Sequence, residues 1–308
     1  MEKASAPQLI RIYVIGFCMG VADLIPGVSG GTIAFISGIY GKLINGIKSF
    51  DIKGVQLAVR FKFKELWKHI PFLFFIPLGL GIVTAVVSLS KLLESLFHSH
   101  PEWLWSFFFG LILGSIFLLF LETRPWRMRD SLIFILSAIF TFWVVGLPAT
   151  QTPASPLYVF LAGCIAISAM ILPGISGSYI LVILGKYQQI LDAINTRDFI
   201  TLMYFFAGMV VGVLSMVRIV SWLLGTYRHL TIISLTGVMT GALRTVWPWK
   251  ETVTTRIDSS GDVVPVLQRA ILPDSLSQVF MAFFLLGTGA CIVVLLSKMK
   301  PKEEGLMG

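Results

Sequence analysis

The chain has 308 residues, 56% of them hydrophobic and 13% charged, with a net charge of +8. So large an apolar share exceeds what a soluble core of this size can bury, which excludes an ordinary globular domain and points to an all-α, multi-pass membrane protein. Nor does the positive balance indicate nucleic acid, because Lys and Arg gather at certain loops and are missing from others.

The first apolar segment, 9–25, runs into VADLIPGVSGGTIAF (21–35) and not into a small-residue cleavage site, so it reads as part of the mature fold. Pro26 lacks an amide donor and Gly27 permits backbone shapes closed to other residues; the helix should stop there and a new one start near Ser29. Residues 49–69 mix Lys and Arg with Ile, Val, Phe and Trp, which suits either an interfacial helix on anionic lipid or a plain basic loop. Apolar stretches follow at 70–93, 103–121 and 131–147, each near the roughly 20 residues that a spanning helix needs. The same grammar then recurs: ISAMILPGISGSYILVILGKY (167–187) breaks at Pro173 and Gly174 and restarts near Ser176, with further apolar stretches at 199–224 and 275–296. Between them WPWKETVTTRIDSSGDVVPVLQRAILPD (247–274) reads as an external hairpin, its second strand weakened by Pro265. Cys18, Cys164 and Cys291 lie in apolar segments without CxxC or Cys/His spacing; buried helix residues are expected there, with neither disulfides nor a metal site, and no cofactor is indicated.

Residues 20–51 align without gaps to residues 167–198, matching Ala22, Pro26, Gly27, Ser29, Gly30, Ile33, Gly38, Tyr40, Ile47 and Asp51 with Ala169, Pro173, Gly174, Ser176, Gly177, Ile180, Gly185, Tyr187, Ile194 and Asp198. The organisation expected is two repeats. The first spans 1–147, with a broken helix pair at 9–48, the basic segment 49–69 and helices at 70–97, 103–121 and 131–147. The second spans 157–298, with a broken pair at 157–193, helices at 199–225, 229–246 and 275–298, and the external loop 247–274. Five segments per repeat, about ten in all, is an odd number for each half, so the second copy enters from the opposite face as an inverted-topology repeat. Basic loops 48–69 and 122–130, Arg228 and the Lys-rich tail then all face the cytoplasm with both termini, while the loops near 98 and 147, free of Lys and Arg, face out. Whether each broken pair is re-entrant or fully spanning stays open.

Unpaired backbone groups cannot face lipid, so the breaks must be buried or line a wet cavity. Helices starting at Ser29 and Ser176 would present free amides, hydroxyls and a positive dipole end to a phosphate or carboxylate, with Gly30, Gly31, Thr32, Gly177 and Ser178 beside them. The competing reading is that these small residues only let helices pack closely. Ionisable residues in apolar segments usually face a pathway or a partner. Asp23 is a candidate for proton coupling or for capping the broken backbone, and its repeat counterpart is Met170. Arg218 is the favoured cation for an anionic head group. Arg244 sits toward a helix end, where snorkelling accounts for it equally, and Tyr40 and Tyr187 are secondary candidates. Lys42, Lys186, Lys91 and Glu94 lie near segment ends, where solvation is expected.

The paired motifs, GVADLIPGVSGGTIAFISGIYGKLI and ISAMILPGISGSYILVILGKY, resemble the signature of the bacterial polyprenyl-phosphate transporter family, and the likeness covers essentially the whole chain. That resemblance implies a flippase for undecaprenyl phosphate in the bacterial cytoplasmic membrane, recycling the carrier lipid of envelope synthesis by alternating access with ion or proton coupling. Its implied partners are the polyprenyl phosphate and anionic membrane lipids, with a homo-oligomer left open. Two rivals remain: a membrane lipid pyrophosphatase, disfavoured because neither loop carries Arg, His or a paired Glu motif, and a transporter of a small soluble anion.

Overall fold

The computed structural model describes residues 5–25, 27–150, 152–257, 263–273 and 275–298. Those residues form 14 α-helices and one two-stranded sheet. The first helix, α1 (Ala6–Asp23), opens on a reciprocal capping box between Ser5 and Gln8 with Pro7 in its first turn. Two short helices follow, α2 (Gly30–Ile36) and α3 (Tyr40–Lys48). Next come α4 (Ile52–Val59), α5 (Phe63–His69), α6 (Phe72–Ser99), α7 (Pro101–Glu122) and α8 (Met128–Val144). The pattern of one helix and two short ones then returns as α9 (Pro156–Ile171), α10 (Gly177–Ile183) and α11 (Tyr187–Asn195), followed by α12 (Phe199–Thr226). A helix α13 (Arg228–Ala242) tightens into a 3₁₀ turn (Leu243–Val246), strands β1 (Lys250–Ile257) and β2 (Val263–Ala270) pair, and α14 (Leu276–Lys298) ends the described chain.

The bounds of α2 and α3 recur in α10 and α11 at one constant offset, and both short pairs have seven and nine residues. Glycines take positive φ at the matching positions: Gly27 and Gly174 at 86° and 94°, Gly38 and Gly185 at 77° and 64°. Both long helices that follow, α6 and α12, have 28 residues.

Among the described residues, four helices, α6, α7, α12 and α14, are long and apolar enough to cross a membrane. Their outer faces carry Val83 and Val87 on α6, Phe206 and Trp222 on α12, and Phe280 and Phe283 on α14, all exposed, as lipid-facing residues would be. The expected span at 131–147 becomes α8, whose 17 residues make about 25 Å of helix, short of the roughly 30 Å hydrocarbon thickness.

Packing is dominated by four parallel helix pairs, α1 with α6, α9 with α12, α7 with α14, and α8 with α13. Every pair closes on glycine. A Cβ at Gly16 would run into the Leu78 carbonyl oxygen, at Gly208 into that of Phe160, at Gly110 into that of Leu286 and at Gly241 into that of Ala138. Backbones in membranes reach such proximity only through small residues. The largest core gathers around α2, with Ile33, Phe35, Ile112, Ile232 and Met239 all buried, and a smaller cluster around α10 contains Ile175, Ile180 and Leu181.

Three local expectations change. Residues 49–69 form two short helices instead of one, broken where Phe61 takes a φ of 53°. The hairpin forms in antiparallel register with Thr255 opposite Pro265, and irregularities flank Thr254; a two-stranded ribbon has free edges on which a proline needs no partner. Of the cysteines, Cys18 and Cys164 are half-buried, whereas Cys291 is exposed because its face of α14 points outward.

Candidate functional site

Each motif is a helix, a glycine-centred turn and a seven-residue helix whose N-cap is the motif serine, Ser29 or Ser176, in extended conformation. Pro26, the expected helix breaker of the first copy, lies outside the described residues; in the second, Pro173 and Gly174 form the turn.

The two motifs touch. Ser29 Oγ donates to the Met170 carbonyl at 3.4 Å, the Gly174 amide donates to Thr32 Oγ1 at 2.9 Å, and the Tyr40 hydroxyl donates to the Ile171 carbonyl at 3.0 Å. A third element wedges beside both turns. Thr245, in the 3₁₀ turn, donates to the Gly27 carbonyl at 3.3 Å, while Met239 and Ala242 of α13 pack against the Cα of Gly174.

Chemically the copies differ. In the first, Asp23 Oδ1 accepts the Gly30 amide at 2.7 Å and Ser29 Oγ accepts that of Gly31 at 3.1 Å. A Cβ on Gly30 would sit 2.5 Å from Asp23 Oδ2, so that glycine makes room for the carboxylate. At the other end of α2, Arg11 donates to the Ser37 carbonyl at 3.0 Å. The short helix thus has an anion at its positive end and a cation at its negative end, both from α1, and its N-terminal donors are already taken by the protein itself. The second copy has Met170 and Tyr158 at these places. No side chain caps α10; Ser176 and Ser178 hydrogen-bond each other at 2.8 Å.

Other expected residues are placed as follows. Arg218 is exposed on α12, bonded to Leu214 O of its own helix at 2.9 Å, one turn before Ser221. Ser221 in turn donates to Asn45 Oδ1 at 3.0 Å and accepts from Lys48 at 3.3 Å, both on α3. Arg244 lies over the Phe142 ring at 4.7 Å and donates to the Phe142 carbonyl, against the Cα of Gly146. Tyr40 is buried, but Tyr187 is 40% exposed, so the tyrosine pair is not equivalent. Lys42, Lys91 and Glu94 are exposed. Lys186 is not: it is 1% exposed, and its ammonium donates to the Thr152 and Pro153 carbonyls and to Gln189 Oε1. The loop before α9 reaches the C-terminal end of α10 and supplies the two carbonyls, which the sequence did not reveal.

Four participants were not expected. Arg11 was visible as an arginine within an apolar segment; Thr245, Tyr179 and Lys250 gave no such signal. Tyr179 donates to the Val145 carbonyl at 2.7 Å. Lys250, in the hairpin, lies 3.7 Å above the Trp105 ring and donates to Thr245 O at 2.5 Å, and burial pushes its ammonium down to about 7.

Residues 19–264 match the VCA0040-like family, described as undecaprenyl phosphate translocase-like. The chain is 42% identical over 264 residues to a protein of Vibrio cholerae named Polyprenyl-phosphate transporter, covering 86% of each chain. It is 33% identical over 254 residues to a Staphylococcus aureus protein of the same name, covering 76% of this chain and 84% of that one. No solved structure matches. By its match over most of its length, the chain belongs to the undecaprenyl phosphate translocase-like family.

Proposed function

We propose that this protein is a transporter, not an enzyme, which moves polyprenyl phosphate across the bacterial cytoplasmic membrane. The observation that carries the reading is the meeting of the two broken-helix turns through the Ser29, Thr32 and Tyr40 bonds, in a chain whose relatives are named for this lipid. The two halves act as inverted repeats of about ten membrane segments, with both termini in the cytoplasm, as the basic loops favour. Each broken pair enters from its own face and returns; the ties of both ends of α2 to α1 favour the re-entrant form. A charged head group crossing a low-dielectric region needs hydrogen bonds and countercharge in place of water. Ser176, Gly177 and Ser178 serve as the donor set, since no side chain caps α10, whereas Ser29 and Thr32 bridge the motifs and the Gly30 and Gly31 amides are taken by Asp23 and Ser29. Arg218 attracts the head group at the α3–α12 seam and Arg244 at the opposite end, with Asp23 chiefly a cap.

The test is transport of labelled undecaprenyl phosphate in proteoliposomes, with and without a pH gradient. Ser176→Ala/Ser178→Ala should slow flux at normal expression and unchanged fold. Movement equal to protein-free vesicles would remove the transport reading, and full activity of the double variant would remove the site. Release of phosphate from undecaprenyl pyrophosphate by the purified protein would instead make it a hydrolase.

A further inference from the structure

Sequence from 42 to 74 holds seven Lys and Arg against Asp51 and Glu65. In the fold this stretch becomes α3, α4, α5 and the start of α6, and a cleft of about 430 Å³ lies between α3, α5 and α6. Lys42, Asn45 and Ser49 of the α3 end line one wall, Lys68 and His69 of α5 the other, and Trp67, Pro71 and Phe74 supply apolar surface. The acids of the stretch are engaged elsewhere: Asp51 accepts the Gly54 amide at 2.9 Å and contacts His69 at 2.9 Å, and Glu65 pairs with Lys62.

Beside the cleft, the two short helices expose large apolar side chains in an otherwise charged segment. Ile52 is 74% exposed and Val59 71%, on one stripe of α4 with Val55. The buried positions of α4, Gly54 and Leu57, lie across the helix from that stripe, and Lys53 and Arg60 flank it. On α5, Phe63 and Trp67 repeat the arrangement next to Lys64 and Lys68. An apolar stripe bordered by cations fits the head-group boundary of an anionic bilayer. The cleft opens at the foot of α3, whose Asn45 and Lys48 join Ser221 on α12, one turn from Arg218.

We propose that α4 and α5 lie in the cytoplasmic leaflet and that the cleft between α3, α5 and α6 docks the head group of a lipid phosphomonoester. Lys42 and Lys68 supply countercharge, the Asn45 side-chain amide supplies a directed donor, and Trp67 and Phe74 receive the first carbons of the tail. A doubly charged monoester gains more from two ammonium groups than a phosphodiester does, and a lipid tail uses the apolar walls that free phosphate would leave bare. The cytoplasmic placement and the identity of the lipid rest on the transport reading above; the docking itself does not need transport.

The experiment measures binding of undecaprenyl phosphate to the purified full chain in mixed micelles, for wild type and for Lys42→Gln/Lys68→Gln. Each surface charge near anionic lipid is worth roughly fivefold in affinity, so the double variant should bind about thirtyfold more weakly. Lys42→Arg/Lys68→Arg should restore binding, which separates charge from folding damage, and uncharged undecaprenol should not compete. Unchanged binding by the Gln variant overturns the site. Equal competition by inorganic phosphate makes it a free-anion site, and equal competition by phosphatidylglycerol a general lipid contact; either overturns the phosphomonoester assignment. Wild type that binds here yet moves no lipid in vesicles refutes the transport reading alone, whereas normal transport with binding unaltered in the Gln variant refutes the cleft alone.

Discussion

Asp23 offers the sharpest test of how the first motif is held. Its carboxylate accepts the Gly30 amide at 2.7 Å at the start of a helix that is almost wholly buried. Asp23→Ala leaves that amide without an acceptor, which costs ~1–3 kcal/mol for a buried donor. Asp23→Asn keeps an acceptor oxygen in place and forfeits only the charge–dipole part, about 0.3–1 kcal/mol. Gly30→Ala attacks the same contact from the other side, because its Cβ would displace the carboxylate. The thermal midpoint of the purified protein in detergent should therefore fall by several degrees in Asp23→Ala and Gly30→Ala, and much less in Asp23→Asn. Asp23→Ala combined with Gly30→Ala should cost less than the sum of the two, since they remove one interaction. An Asn variant as unstable as the Ala variant, or strict additivity in the pair, would refute the cap. Flux under an imposed pH gradient, measured on Asp23→Asn, reads the coupling role separately.

Three further outcomes are expected. On α6, Gly81→Val should lower stability by about 1–3 kcal/mol or more, because a Cβ there meets the Tyr13 carbonyl of α1, while Gly79→Ala, two residues away with nothing within 4 Å, should be neutral or gain ~0.5–1 kcal/mol; thermal midpoints compare them. Tyr40→Phe should cost roughly 0.5–1.5 kcal/mol by freeing the Ile171 carbonyl, and Tyr187→Phe nearly nothing, although the two occupy matching positions. Lys250 has its ammonium pushed from 10.5 to about 7, so above pH 7 the unfolded chain holds a proton that the folded one has released; stability should rise from pH 7 toward 10 in wild type relative to Lys250→Met, and parallel curves would contradict this.

Much of the motif architecture was legible because it depends on local backbone chemistry. Gly27 and Gly174 take positive φ at equivalent places, and Ser29 and Ser176 start their helices, as the Pro-Gly pairs and the serines after them led one to expect; the positive φ of Gly38 and Gly185 was not anticipated. What escaped notice depends on rotation about helix axes and on where loops return. Arg218 sits in the middle of an apolar segment, yet the turn of α12 leaves it exposed on its own helix. Lys186 sits at a segment end, yet the loop at 152–153 folds back and buries it. Asp23 had two readings that sequence could not separate, because only the turn geometry brings its carboxylate back onto Gly30, seven residues on.

The partnering of the long helices has a mechanical consequence. Whereas α1 pairs with α6 and α9 with α12 inside their own halves of the chain, α7 pairs with α14 and α8 with α13 across the halves. The chain is therefore braided: its two halves cannot part as separate blocks without tearing seams in which backbone lies against backbone. The α7–α14 and α8–α13 pairs, joined to each other through α7 and α13, thus tie the two halves into one frame. By contrast, the two turns meet through a few uncharged hydrogen bonds, each worth only about 0.5–1.5 kcal/mol. The closest backbone packing thus lies in the glycine seams, and lighter ties join the two broken helices where they meet.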